Sequence, residues 1–340
     1  MDILSAPAMV AGQPVAAKLS LSVVVPVYNE EAVLPEFHRR LAAVLDGLGA
    51  SAEVIYVNDG SGDGTRSLLT ALREGDARVA VIDLSRNFGK EIAMSAGLDH
   101  AHGDAVVIID ADLQDPPELI PDMVRAWREG FDVVLMRRKS RAQESWVKRA
   151  TAHAFYAAIG RMGTIDIPEN VGDFRLLSRR AVAALRRFPE RSRFMKGLFA
   201  WIGFPCRELE YDRDGRHAGE TKWNYWRLWN FALEGITSFS AVPLKAASYV
   251  GFATALVAFA YGVYVIAKTL LYGDPVRGYP TLIVVVLFLG GLQLMALGII
   301  GEYLARMFIE VKQRPLYLIQ QFLPPRQPLA APESIASQDR

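Results

Sequence analysis

The 340-residue sequence has a single cysteine, Cys206, and only five histidines. One thiol excludes a disulfide framework and a cysteine-based zinc site, and the histidines show no ligand spacing. There is no excess of charge either, since 38 Lys and Arg stand against 37 Asp and Glu. A dedicated nucleic-acid binder carries a basic face, so nucleic acid is not an expected partner. The opening lacks a basic stretch followed by an apolar run, and residues 1–17 read as a disordered leader rather than a signal peptide. No G-x-G-x-x-G follows the first apolar run, which disfavours a dinucleotide fold. What is present, 51% hydrophobic and 22% charged residues, excludes a disordered or collagen-like chain. The length allows about two domains.

Charges are spread through the first 245 residues and then stop. Ala246 to Ala267 is a run of 22 uncharged residues, and Tyr279 to Gly301 is a second of 23. Each is long enough to cross a hydrocarbon core of about 30 Å. Transmembrane helices are expected over 246–270 and 279–303, joined by the short connector Tyr272–Gly278. Lys245 precedes the first, while Arg306, Lys312 and Arg314 follow the second. Positive charge at both outer ends places both termini and the N-terminal bulk in the cytoplasm. Trp223, Trp226 and Trp229, followed by Phe231, Leu233 and Ile236, read as an amphipathic helix lying in the interface. Phe194–Phe204 is a similar candidate, with a core helix as the alternative for both.

The N-terminal part alternates strand-length apolar runs with helical patterns. Strands are expected at Leu21–Val27, Ala52–Val57, Val79–Leu84 and Ala105–Asp110. Helices are expected at Glu30–Leu48, Thr65–Glu74 and Lys90–Ala101. This alternation builds βαβ units, an α/β fold with a mostly parallel sheet. Ligands of such sheets bind at the carboxyl ends of the strands. Polar clusters stand there: Tyr28-Asn29-Glu30, Asn58-Asp59-Gly60-Ser61, Ser85-Arg86-Asn87 and Asp110-Ala111-Asp112.

Asp110 and Asp112, one residue apart at a strand end, can turn towards one hard cation, and Mg²⁺ and Mn²⁺ prefer such oxygen ligands. Asp59, Ser61 and Asp63 superficially resemble a calcium loop, but Thr70 stands where a bidentate Glu is required. The turn reads instead as placing Asp59 to accept hydrogen bonds from a nucleotide base, the alternative being a helix N-cap, a role open to Asp63 as well. Arg213, Arg216 and Lys222 suit either a substrate phosphate or anionic head groups.

Seven segments, taken in order, resemble a known family: PVYNEE from Pro26, VNDGSGDGT from Val57, SRNFGKEIAMSAGLDHAHGD from Ser85, DADLQDPPE from Asp110, GDFRLLSR from Gly172, RHAGETKW from Arg216 and GEYLARMFIEVKQRPLY from Gly301. Together they resemble the polyprenyl-phosphate glycosyltransferases of glycosyltransferase family 2, the GtrB-like enzymes related to dolichyl-phosphate mannose synthase and ArnC. The resemblance implies a GT-A fold over 18–215, a phosphate-binding loop and interfacial helix over 216–245, the hairpin over 246–305, and a partly disordered segment over 306–340. It also implies a UDP-sugar donor, Mg²⁺ or Mn²⁺, a polyprenyl phosphate acceptor, inverting transfer of a hexose (glucose foremost), and a homotetramer in the bacterial inner membrane. Pro26, Tyr28, Asn29, Glu30 and Asp59 would line the uridine pocket, with Lys90 nearby. Asp110, Asp112 and Gln114 would surround the metal, with Ala111 between. Arg137, Arg216 and Lys222 would hold phosphates, and Asp173 would lie at the sugar or acceptor phosphate.

The chemistry fits the resemblance. A phosphate monoester's second pKa is about 6, so the acceptor is already ionised and needs no strong base. A processive synthase would have more spans and a Q-x-x-R-W motif, an inactive scaffold would have an eroded acidic motif, and a transporter would carry more polar groups in its spans than Gln293. The stretch Pro315–Phe322 is expected to add a strand or short helix to a neighbouring subunit, and the proline-rich segment from Pro324 to be disordered.

Overall fold

The computed structural model of the chain describes residues 19–138, 171–188, 190–191, 193–211, 242–272, 278–327 and 329. The leader, Arg213, Arg216, Lys222, the tryptophan series from Trp223 and most of the hairpin connector lie outside the described residues.

Eight strands form one sheet: β1 Ser20–Val27, β2 Ser51–Asn58, β3 Val79–Leu84, β4 Ala105–Ile108, β5 Val133–Arg138, β6 Val171–Ser178, β7 Cys206–Tyr211 and β8 Ile319–Leu323. Their order is β7-β5-β6-β4-β1-β2-β3-β8. Parallel ladders join β1 to β2 and β4, β2 to β3, and β5 to β7. β6 runs against β4 and β5, and β8 against β3. The sheet is therefore mixed but mostly of one direction, as the βαβ alternation predicts, with β6 and β8 as the reversed strands.

The apolar strand runs are explained by burial on both faces. Along β1 every residue is buried, with Leu21, Val23, Val25 and Val27 in one core and Val24 in the other. The first core is covered by α1 Leu34–Leu48, α2 Thr65–Gly75 and α4 Ile120–Arg128. The second is covered by α3 Lys90–His100, α5 Arg179–Arg186 and α6 Met195–Trp201. α1 begins with Pro35 in its first turn and ends at Gly49, whose φ of 60° is the left-handed cap that glycine adopts without a Cβ penalty.

α3 crosses β1 so closely at Gly97 that a Cβ there would lie 2.2 Å from Val24 Cγ1. Alanine is the better helix former, yet Gly97→Ala is expected to destabilise the domain by about 1–3 kcal/mol through overpacking. Thermal melts of Gly97→Ala alone and combined with Val24→Ala test this, since the second change should recover part of the loss.

Two expectations are corrected here. Phe194–Phe204 does not form an interfacial helix: Met195, Leu198 and Phe199 of α6 are buried in the second core, and only Trp201, at 57% exposure, turns outward. An apolar helical stripe has the same pattern whether it faces lipid or a sheet. The segment from Pro315 does form a strand, but β8 pairs with β3 of the same chain. The first residues after it are held as well: Arg73 Nε donates to Pro324 O at 2.8 Å, and Gln327 N donates to Ala77 O at 3.0 Å.

Beyond the sheet, α7 Val242–Tyr272 and α8 Tyr279–Lys312 are long apolar helices that pack on each other. Both are long and apolar enough to cross a membrane, and their apolar windows are unburied. α8 continues well past residue 303, its last turns carrying the Glu302–Arg306 pair at 2.8 Å. Its end meets the segment between α5 and α6, where Glu310 accepts from Arg191 N at 2.8 Å.

Candidate functional site

Parallel β1, β2, β3 and β4 bring their carboxyl ends to one edge, and the reversed β6 brings its amino end, Val171-Gly172-Asp173, to the same edge. Four loops and Asp173 thus converge without being close in sequence.

The loops after β1 and β2 interlock. Asn29, at φ 54°, donates its N–H to Ser61 Oγ at 3.0 Å and accepts from Gly62 N at 2.8 Å. Ser61 Oγ donates to Asn58 Oδ1 at 2.6 Å. Glu30 N donates to Thr65 Oγ1 at 3.0 Å, while the Glu31 carboxylate accepts from Gly64 N at 2.9 Å. Asp63 Oδ1 accepts from Thr65 N at 3.1 Å, but the N-cap position of α2 is Gly64, so neither Asp59 nor Asp63 is the N-cap that the sequence left open to them. Pro26 is buried at the end of β1, and Tyr28 is 41% exposed.

Asp59 is 3% exposed, and both its oxygens are engaged: Oδ1 accepts from Phe88 N at 2.7 Å and Oδ2 from Gly89 N at 2.9 Å. The predicted base acceptor is therefore also the brace of the loop after β3. Burial pushes its carboxyl above the ordinary value, and the hydrogen bonds from Phe88 and Gly89 only partly offset that. At Gly60, φ 66°, a Cβ would meet Arg86 C at 2.5 Å, so the two loops can touch only through glycine.

After β4 the chain turns sharply. Leu113 has φ 60° and is buried, a left-handed conformation costing a non-glycine residue about 1–2 kcal/mol. The turn presents Asp112, whose Oδ1 accepts from Gln114 N at 3.1 Å, while Ala111 and Gln114 are buried beside it. Asp110 Oδ2 lies 2.6 Å from Lys90 Nζ, and the same ammonium lies 2.5 Å from Asp173 Oδ2. Burial works against charge on Lys90, but Asp110 and Asp173 outweigh it and hold the ammonium above its ordinary pKa. Burial opposes ionisation of Asp173 too, and Lys90 and Lys196 outweigh it, so its carboxyl sits below the usual range.

The acidic group has neighbours that sequence reasoning missed. Asp115 is 1% exposed, accepts a hydrogen bond from Tyr211 Oη and lies 4.0 Å from Arg138 Nη2. Arg138 therefore faces the acids, whereas Arg137, the predicted phosphate holder, pairs with Glu208 of β7 at 3.0 Å. Adjacent strand residues point to opposite faces, and counting parity along β5 is the signal that separates the two. Arg175 is 3% exposed, stacks 3.8 Å over the Phe199 ring and donates to Gly172 O at 2.7 Å. Burial lowers its pKa to about 10.

Glu91, next to Lys90, accepts from Met195 N at 3.0 Å and so ties α3 to α6. Burial, then Asp173, pushes its carboxyl up to about 7 from 4.5. A carboxyl whose pKa is higher folded than unfolded binds protons preferentially when folded. Its contribution is therefore complete below about pH 4.5 and is lost as pH rises towards 7. Melts of the parent protein are expected to fall relative to Glu91→Gln across that window, and parallel curves would contradict the assignment.

Among the described residues no three His, Cys, Asp or Glu side chains gather into a ready metal cage. The donor set nevertheless fits a hard divalent cation held by one or two carboxylates and completed by substrate. Asp110 and Asp112 supply the oxygens, and Asp173 Oδ1 is buried without a hydrogen-bond partner among the described residues.

Comparison with known proteins follows the same division of the chain. Residues 22–186 match the family described as Glycosyl transferase family 2, and residues 242–307 match the GtrB C-terminal hairpin. The chain is 54% identical over 301 residues to an uncharacterized glycosyltransferase of Synechocystis, covering 88% of this chain and 95% of that one. It is 48% identical over 302 residues to the bactoprenol glucosyl transferase of Shigella phage SfII, covering 89% and 98%. A solved glucosyl-3-phosphoglycerate synthase of Mycobacterium tuberculosis, in complex with Mn²⁺ and UDP-glucose, is 21% identical, covers 64% of this chain and 77% of its own, and has a TM-score of 0.42. That last likeness is too slight to carry an argument.

Proposed function

The chain belongs to glycosyltransferase family 2, and from that premise we propose that it transfers glucose from UDP-glucose to a polyprenyl phosphate at the cytoplasmic face of the bacterial inner membrane. The observation that carries this reading is the 48% identity, over 98% of its length, to a protein named for bactoprenol glucosyl transfer.

The donor's uridine lies against the interlocked loops after β1 and β2, with Tyr28 and Asp59 as its nearest candidates. Asp110, Asp112 and Gln114 would hold Mg²⁺ or Mn²⁺, which would neutralise charge on the departing diphosphate. Arg138, which faces the acids, takes the place of Arg137 as the candidate for the diphosphate. Arg216 and Lys222, outside the described residues, remain the proposed holders of donor or acceptor phosphate. An oxygen of the acceptor phosphate attacks the anomeric carbon. The new carbon–oxygen bond forms as the bond to UDP breaks, inverting the configuration. Because that phosphate is already ionised, Asp173 is needed for orientation and not as a strong base.

The strand pairing supports the proposed topology. β8 follows α8 and joins the same sheet as β1, an arrangement compatible with a hairpin that enters and leaves the bilayer on one side. A homotetramer belongs to the same proposal. Gly290, Gly291 and Gly298 have open space around them, which permits close helix contact, and light scattering in detergent tests the number of copies.

The test is transfer of radiolabel from a panel of UDP-sugars and GDP-mannose to undecaprenyl phosphate, with Mn²⁺ and purified full-length protein. Label entering lipid from UDP-glucose alone is the expected result. Transfer from another donor would replace the sugar, and donor binding without transfer would favour an inactive scaffold.

A further inference from the structure

The ammonium that joins Asp110 to Asp173 sits where the proposed metal chemistry needs those oxygens. We propose that Lys90 is the resident counter-cation of this carboxylate pair, and that a divalent cation loads by displacing it from Asp110. The inference rests on the reading of Asp110 and Asp112 as metal ligands.

The geometry has three parts. Lys90 Nζ lies 2.6 Å from Asp110 Oδ2 and 2.5 Å from Asp173 Oδ2, so it is shared between the ends of two strands. The Asp110 and Asp173 side chains are only 23% and 13% exposed, so two like charges there need a cation between them. Lys90 itself is the first residue of α3 and keeps 42% exposure, on a flexible stem that can swing outward without moving the helix. An immobile, fully enclosed lysine would be a structural strut. This one is a point charge with a way out. An ammonium and a divalent ion cannot both occupy the same lone pairs of Asp110, so each weakens the other. Once released, the ammonium is suited to the negative oxygens of the donor's diphosphate. Metal and nucleotide would then arrive together, and the empty site would resist filling by metal alone.

The experiment measures Mn²⁺ binding to full-length protein in detergent, without nucleotide, from the free-ion paramagnetic resonance signal. Lys90→Gln is expected to bind Mn²⁺ about tenfold more tightly than the parent, the direction Coulomb's law requires when a competing charge in contact is removed. Lys196→Gln removes another cation that Asp173 feels, one outside the Asp110 bridge, and is expected to give a smaller gain. Unchanged or weaker binding in Lys90→Gln, or an equal gain in Lys196→Gln, would overturn the proposal. Asp110→Asn separates the two levels of inference. If it leaves Mn²⁺ binding intact, the metal assignment itself fails; if it abolishes binding while Lys90→Gln gains nothing, only the displacement fails. Thermal melts guard against a folding artefact. Lys90→Gln should melt below the parent in chelator and regain most of the difference with Mn²⁺. A loss that Mn²⁺ does not restore marks a strut and sinks the idea.

Discussion

Asp112→Ala is expected to lower sugar transfer by about 10²–10³-fold, the usual cost of removing one preorganised group that stabilises developing charge. The effect should fall on kcat more than on the KM for lipid acceptor, because the charge Asp112 helps to balance grows only as the diphosphate leaves. Melting should change little by comparison. Asp112 is only partly buried, on the surface of the turn after β4, while the core contacts of that turn come from Ala111 and Leu113. Single-turnover transfer with saturating UDP-glucose, beside a melting curve, checks both halves. A variant retaining more than a tenth of parent activity would remove Asp112 from the metal site.

Asp59→Ala is expected to do the opposite and damage the fold as well as the donor site. Its two oxygens hold Phe88 N and Gly89 N, and deletion leaves both donors without their acceptor. Hydrogen bonds to a charged group contribute about 1.5–3 kcal/mol each, so a loss of about 2–4 kcal/mol is expected after relaxation. For a domain of this size that lowers the melting temperature by roughly 5–15 °C. UDP affinity should fall too, because the loop from Arg86 to Gly89 leads directly into Lys90. If Asp59 served only a nucleotide base, the variant would lose UDP affinity and keep its melting temperature. Measuring both on the same preparation separates base recognition from loop bracing.

Much of this arrangement is legible in the sequence because burial on both faces leaves continuous apolar runs. Val79–Leu84 is recovered to the residue, and β1, β2 and α2 within one residue at each end. The acidic turn is legible for a related reason, since carboxylates directly after such a run have few structural uses. Contacts that depend on direction or on distant pairing are not legible. Nothing local to Lys90 says that it reaches two strands, one of them 83 residues away. Arg137 and Arg138 are chemically identical, and only their parity along β5 decides which one faces Asp115. Phe194–Phe204 misleads because an apolar stripe does not say whether lipid or a sheet covers it. Asp59 was legible as a residue with a purpose, but its bonds to Phe88 and Gly89 depend on a loop closing over it.

The pairing of β8 with β3 also fixes an order of events during synthesis. β3 is complete at Leu84, but the strand that seals its outer edge begins at Ile319, after 234 intervening residues. At about 5–20 residues per second the edge stays open for roughly ten seconds to most of a minute. Both apolar helices are made within that interval. The sheet is therefore sealed only after both of those helices have been synthesised, and a chain released early by the ribosome carries an open, apolar-flanked strand edge of the kind that invites pairing with other chains.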